Sequence, residues 1–93
     1  MKDLIKQLAP HYKQKFVTTE SVENDIKLIK KLNMLFGKLE KTQKDVYVLE
    51  IINVIKTINN VLKLDKIRLV VYNCVDVKHH TTLDFVIKKV LDK

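Results

Sequence analysis

Asp65-Lys66-Ile67-Arg68-Leu69-Val70-Val71-Tyr72-Asn73-Cys74-Val75-Asp76-Val77 is the stretch whose reading decides the fold of this chain, because its apolar residues fit two periods. As a helix capped by Asp65, it places Ile67, Val70, Val71, Cys74 and Val75 on one face. As a strand, it would line up Leu69, Val71, Val75 and Val77. No other segment offers a partner strand, and an unpaired strand is unstable, so the helix is the favoured reading and the strand stays as the alternative. The chain is accordingly read as all-α, a compact bundle of four to five helices.

The segment before it, about Lys44 to Leu62, carries Val48, Leu49, Ile51, Ile52, Val54, Ile55, Ile58 and Leu62. These cover most of a helix circumference, which predicts a helix at the centre of the bundle. Thr42 with Asp45 is read as a weak capping box opening it. Further upstream, Val22, Ile26, Ile29, Leu32, Leu35 or Phe36, and Leu39 recur every three or four residues, and Thr18-Thr19-Glu20-Ser21 supplies hydroxyl caps and early negative charge. That spacing predicts a helix of about 20 residues, with Gly37 costing it about 1 kcal/mol relative to alanine. Leu4, Ile5 and Leu8 predict a short first helix that Pro10 stops or kinks, followed by a turn or arm to Val17. Downstream, His79-His80-Thr81-Thr82 reads as a loop ending in a cap. Leu83, Val86, Ile87, Val90 and Leu91 then form the core face of a closing helix, with Lys88, Lys89 and Lys93 at its cation-favouring end.

One Gly and one Pro in 93 residues leave little material for phosphate-binding glycine loops, hairpins or linkers. A single domain spanning 1–93 is expected, with 1–17 as helix and arm and 19–92 as the bundle core. Cys74 is the only cysteine, so an internal disulfide is excluded and a reducing, intracellular compartment, cytoplasmic or nuclear, is expected. No run approaches the roughly 18 apolar residues of a membrane span.

Cys74, Asp76, His79 and His80 form the one cluster of metal-type side chains. Adjacent histidines point apart, so a core cysteine beside solvated loop histidines is the simpler account, and no metal or other cofactor is expected. A Cys74–His79 or Cys74–His80 nucleophile pair would need an accessible thiol and an oxyanion hole. Val70, Val71 and Val75 argue against the first and the lack of glycine against the second, so no catalytic residue is assigned.

The formal net charge is +7, from 18 Lys+Arg against 11 Asp+Glu, and all but Arg68 of these cations are lysines. Lysine binds phosphate as a point charge and reads bases poorly. The first reading is therefore a protein-interaction module that contacts its partner through exposed aromatics, Tyr12, Phe16 and Phe85, and the lysine-rich helix. The alternative is sequence-independent nucleic-acid binding through Lys27, Lys30, Lys31, Lys38, Lys41 and Lys44. A homodimer is a further reading, since the apolar surplus of 44–62 can be met by a second copy.

The apolar run Val48 to Ile58, then Val61-Leu62, Ile67-Arg68, Val71, Cys74 and the helix Leu83 to Leu91 resemble in spacing the N-terminal helical bundle of the transcription elongation factor S-II and elongin A family. Arg68 stands where that family has glycine, no Ile-Pro turn precedes Val61 and no tryptophan follows Leu91. The resemblance implies a docking module for short disordered segments of transcription proteins. Size, charge and helicity also resemble the immunity proteins of small bacteriocins, and a small phage or viral inhibitor shares the same traits.

Overall fold

The computed structural model of the chain describes residues 2–14 and 16–92; Met1, Lys15 and Lys93 lie outside the described residues. It is an all-α bundle of five helices: α1 (Lys2–Leu8), α2 (Thr19–Thr42), α3 (Asp45–Val61), α4 (Leu64–Asn73) and α5 (His80–Leu91). Short 3₁₀ turns occupy Ala9–His11 and Val77–His79. The chain folds to extents of 39 × 29 × 20 Å.

The deciding stretch is helical to Asn73, where α4 ends at Cys74 and the chain turns toward α5. Its buried residues Leu64, Ile67 and Val71 follow the helical period. The first helix and the Pro10 stop are as expected, with the proline inside the 3₁₀ turn that follows α1. α2 runs for 24 residues and starts where the hydroxyl cluster predicts, with Thr18 Oγ1 accepting from the Ser21 N–H at 3.1 Å. It ends at Gln43, whose left-handed backbone (φ 53°) lets its N–H bond the Leu39 carbonyl at 2.7 Å.

Three local expectations are corrected. Thr42 caps nothing ahead of it: its hydroxyl donates back to the Lys38 carbonyl at 2.9 Å, and α3 starts after Lys44 with no side-chain cap. α3 is not apolar all round in use, since Ile51, Val54, Ile55 and Ile58 are buried while Val46, Leu49, Glu50, Asn53 and Lys56 face solvent. The residues before α2 are also more than an arm. Leu8 is fully buried within the single core cluster, with Leu4, Ile5, Tyr12 and Val17 packed against it, so the core begins well before residue 19.

α2 lies along α3, α3 packs on α5, α1 rests on α2 and α4, and α4 packs on α5. The N-terminal segment is fastened by backbone as well. The Lys13 N–H bonds the Val61 carbonyl at 3.0 Å and the Lys63 N–H bonds the His11 carbonyl at 2.8 Å, making an isolated antiparallel bridge between Tyr12 and Leu62. These bonds satisfy peptide groups at the α3–α4 junction that no helix serves.

Candidate protein-contact surface

The α4–α5 hairpin is built around a polar lock that the sequence reading did not find. Along α4, Arg68 and Tyr72 are four residues apart and therefore share a face; along α5, His80, Asp84 and Lys88 do the same. These two faces meet. The Tyr72 hydroxyl donates to Asp84 Oδ1 at 2.5 Å, the Arg68 guanidinium pairs with the same oxygen, and Lys88 Nζ lies 3.2 Å from Asp84 Oδ2. Arg68 Nε also donates to the Tyr72 hydroxyl at 3.1 Å.

His80 completes the lock. Its Nε2 lies 2.8 Å from the Tyr72 carbonyl and 2.9 Å from the Val75 carbonyl. Both partners are acceptors, so this nitrogen carries a proton and shares it between them, satisfying carbonyls at the end of α4. The imidazole also leans on the Tyr72 ring, centroid to centroid 5.1 Å. The turn itself is held from α2 by Asn33, whose Oδ1 accepts from the Asp76 N–H at 3.2 Å.

The donors around Asp84, first Tyr72, then Arg68 and Lys88, hold its carboxyl at about 2, below its ordinary 3.8. A carboxyl depressed on folding stabilises the fold above its unfolded pKa and loses that contribution as pH falls through the folded value. The wild type should thus exceed Asp84→Asn in stability at neutral pH, with the gap closing between about pH 4 and about pH 2. Urea midpoints of both proteins across that range test this, and a pH-independent gap would contradict it.

Outside the lock lie two large apolar side chains. Leu69 sits opposite the buried face of α4 and is 76 % exposed; Phe85 sits opposite the buried face of α5 and is 59 % exposed. Lys89 Nζ stands 4.6 Å from the Phe85 ring centroid, so the aromatic is held and edged by charge without being covered.

The other aromatics divide. Phe16 is 86 % exposed ahead of α2. Tyr12, expected to be exposed, is half-buried against the core and donates its hydroxyl to Asp25 at 2.5 Å; burial first, then this carboxylate, pushes its pKa up. It fastens the N-terminal segment to α2 and is not an exposed contact. The histidines are not solvated loop residues either. His79 is buried, stacks on Phe36 (5.2 Å, 13° between planes) and places Nε2 3.7 Å from Glu40, which Lys78 also approaches. Together they border an open cleft of about 260 Å³, slightly smaller than the roughly 300 Å³ at which small-molecule pockets begin. His80 opens α5, so Thr81 and Thr82 lie inside the helix and do not cap it.

Among the described residues no group of three His, Cys, Asp or Glu is arranged to hold a metal ion. Cys74 is free and half-buried, and that burial raises its thiol pKa, which disfavours the reactive thiolate. Five of the six lysines, Lys27, Lys30, Lys31, Lys38 and Lys41, fall on the exposed side of α2, whereas Lys44 lies past its end as the residue before α3. Among the described residues no helix is long and apolar enough to cross a membrane. Comparison with protein-family models, curated proteins and solved structures finds no match to this chain.

Proposed function

We propose that the chain is a non-catalytic docking module that binds a protein partner through the outer face of the α4–α5 hairpin, with Phe85 as the anchor and the exposed Leu69 of α4 contributing. The observation that carries this reading is Phe85 itself, a large exposed ring on a helix whose neighbouring residue Asp84 is bonded to two side chains of α4. A rigid aromatic bordered by charge is the usual form of an interface hot spot, because little side-chain freedom is lost on binding. Phe16 is a second contact, placed before α2 and remote in sequence from the lock.

The non-catalytic part is supported by how the reactive side chains are used: His80 serves carbonyls, His79 stacks on Phe36, and Cys74 has a raised pKa. The resemblance to the S-II and elongin A bundle falls on the same stretch, from Val61 through α5, and supports a partner in the transcription machinery. A small phage or viral inhibitor, or an immunity protein, would use such a surface in the same way. An intracellular setting accords with a lone free thiol. As for a homodimer, α3 buries four of its apolar residues internally and leaves Val46 and Leu49 exposed. Two exposed side chains give α3 little apolar surface on which to seat a second copy, which favours a different protein as the partner.

The test is replacement of Phe85 and Leu69 by serine, with Phe16→Ser as a separate arm, followed by quantitative capture of partners from the native host. The hairpin pair should lose its partner while the fold is kept.

A further inference from the structure

We propose that the solvent face of α2 is a second, independent binding surface that takes the phosphate backbone of duplex nucleic acid without reading its sequence. At about 100° per residue, Lys27, Lys30, Lys31, Lys38 and Lys41 all fall within an arc of about 100°, opposite the buried Val22, Ile29, Leu32 and Phe36. From Lys27 to Lys41 the stripe runs about 21 Å along the longest helix of the fold. All five side chains are exposed, and among the described residues none of them is in an ion pair. The acidic residues of this face, Glu20 and Glu23, are confined to its N-terminal end, and Glu40 is turned away toward Lys78 and His79. A line of uncompensated point charges is complementary to a line of phosphates, from which it would release condensed counterions.

The make-up of the stripe selects among polyanions. It holds no arginine, and Asn33 of the same helix is engaged with the Asp76 amide, so base readout is not provided for. Single strands are gripped by stacking on exposed rings, yet the ring beside this stripe, Tyr47, is half-buried 6.0 Å from Lys38 Nζ. An acidic protein segment would be held by an aromatic or aliphatic anchor, and the stripe offers half-exposed Met34 alone. Duplex backbone is what remains favoured by charge and shape.

The experiment is fluorescence anisotropy of the whole chain with a random-sequence DNA duplex of roughly 20 base pairs, with a single strand of equal length and polyglutamate as comparators. With five lysine contacts, affinity for the duplex should fall several-hundred-fold between about 50 and about 200 mM salt and should not depend on sequence. Lys31→Glu with Lys38→Glu should weaken binding about tenfold or more and lower the salt slope by about 2. Lys63→Glu with Lys66→Glu carries the same charge change at exposed positions off the stripe and should lose much less. Lys31→Gln with Lys38→Gln, which keeps helix propensity, should give the same ordering, with helicity checked by circular dichroism. Absence of duplex binding at low salt, equal loss in the control pair, tighter binding of the single strand, or displacement of DNA by polyglutamate at equal charge would each overturn the proposal.

Discussion

Phe36→Ala is expected to destabilise the protein by about 3–5 kcal/mol, the largest effect of any single truncation in this chain. Phe36 is among the largest fully buried side chains and sits on the inner face of α2. Its ring is also the platform for His79, which closes the 3₁₀ turn that leads into α5. Truncation therefore removes core volume and uncovers an imidazole that also lies 3.7 Å from the exposed Glu40. A domain of this size has a total stability near the low end of about 5–15 kcal/mol, so the variant should be partly unfolded at room temperature. Urea denaturation followed by helical ellipticity measures the change. A loss below about 1 kcal/mol would mean that the ring is not packed as described.

Leu8→Ala should cost about 2–5 kcal/mol, although the residue lies in a segment that its sequence position makes easy to dismiss as a tail. Leu8 is fully buried and joins α1 to the cluster formed by α2 and α4. The same segment supplies the backbone bridge to the α3–α4 junction, so loosening it should be felt at a distance. Hydrogen exchange should show lost protection at the Lys13 and Lys63 amides as well as along α1, because those amides are bonded across the bridge. Unchanged exchange at Lys63 would show that the bridge stands without α1.

Helical periodicity was legible wherever one face of a helix is buried, as in α2 and α5, and the missing glycines and prolines pointed the same way. It also sufficed for 65–73 once no partner strand could be found, whereas Cys74 to Val77 leave the helix for the turn toward α5. What it could not supply were contacts between residues far apart in sequence. His79 and His80 read as solvated because nothing local announces Phe36 beneath one or the α4 carbonyls beneath the other. Tyr12 read as exposed because its partner Asp25 lies across the break before α2. Thr42 and Asp45 matched a capping box, yet the threonine had a nearer acceptor in the Lys38 carbonyl.

The proposed contact surface is half legible in the sequence. Phe85 stood out as an aromatic among charges, whereas the lock that steadies it joins Arg68 to Asp84 across 16 residues. Its trace in the sequence is the four-residue spacing of Arg68 with Tyr72 and of His80, Asp84 and Lys88, which marks a shared face on each helix without saying that the faces meet. Arg68 is the lone arginine of the sequence. In the fold it is the cation of that lock.

We propose that the partner docks on the outer face of the α4–α5 hairpin. The measurement that tests it most directly is the affinity of the captured partner for the wild type, for Phe85→Ser with Leu69→Ser, and for Phe16→Ser, each shown to be folded. The account predicts that truncating the hairpin pair costs at least about 2 kcal/mol of binding, some thirtyfold in affinity. Undiminished binding by that folded pair would contradict it.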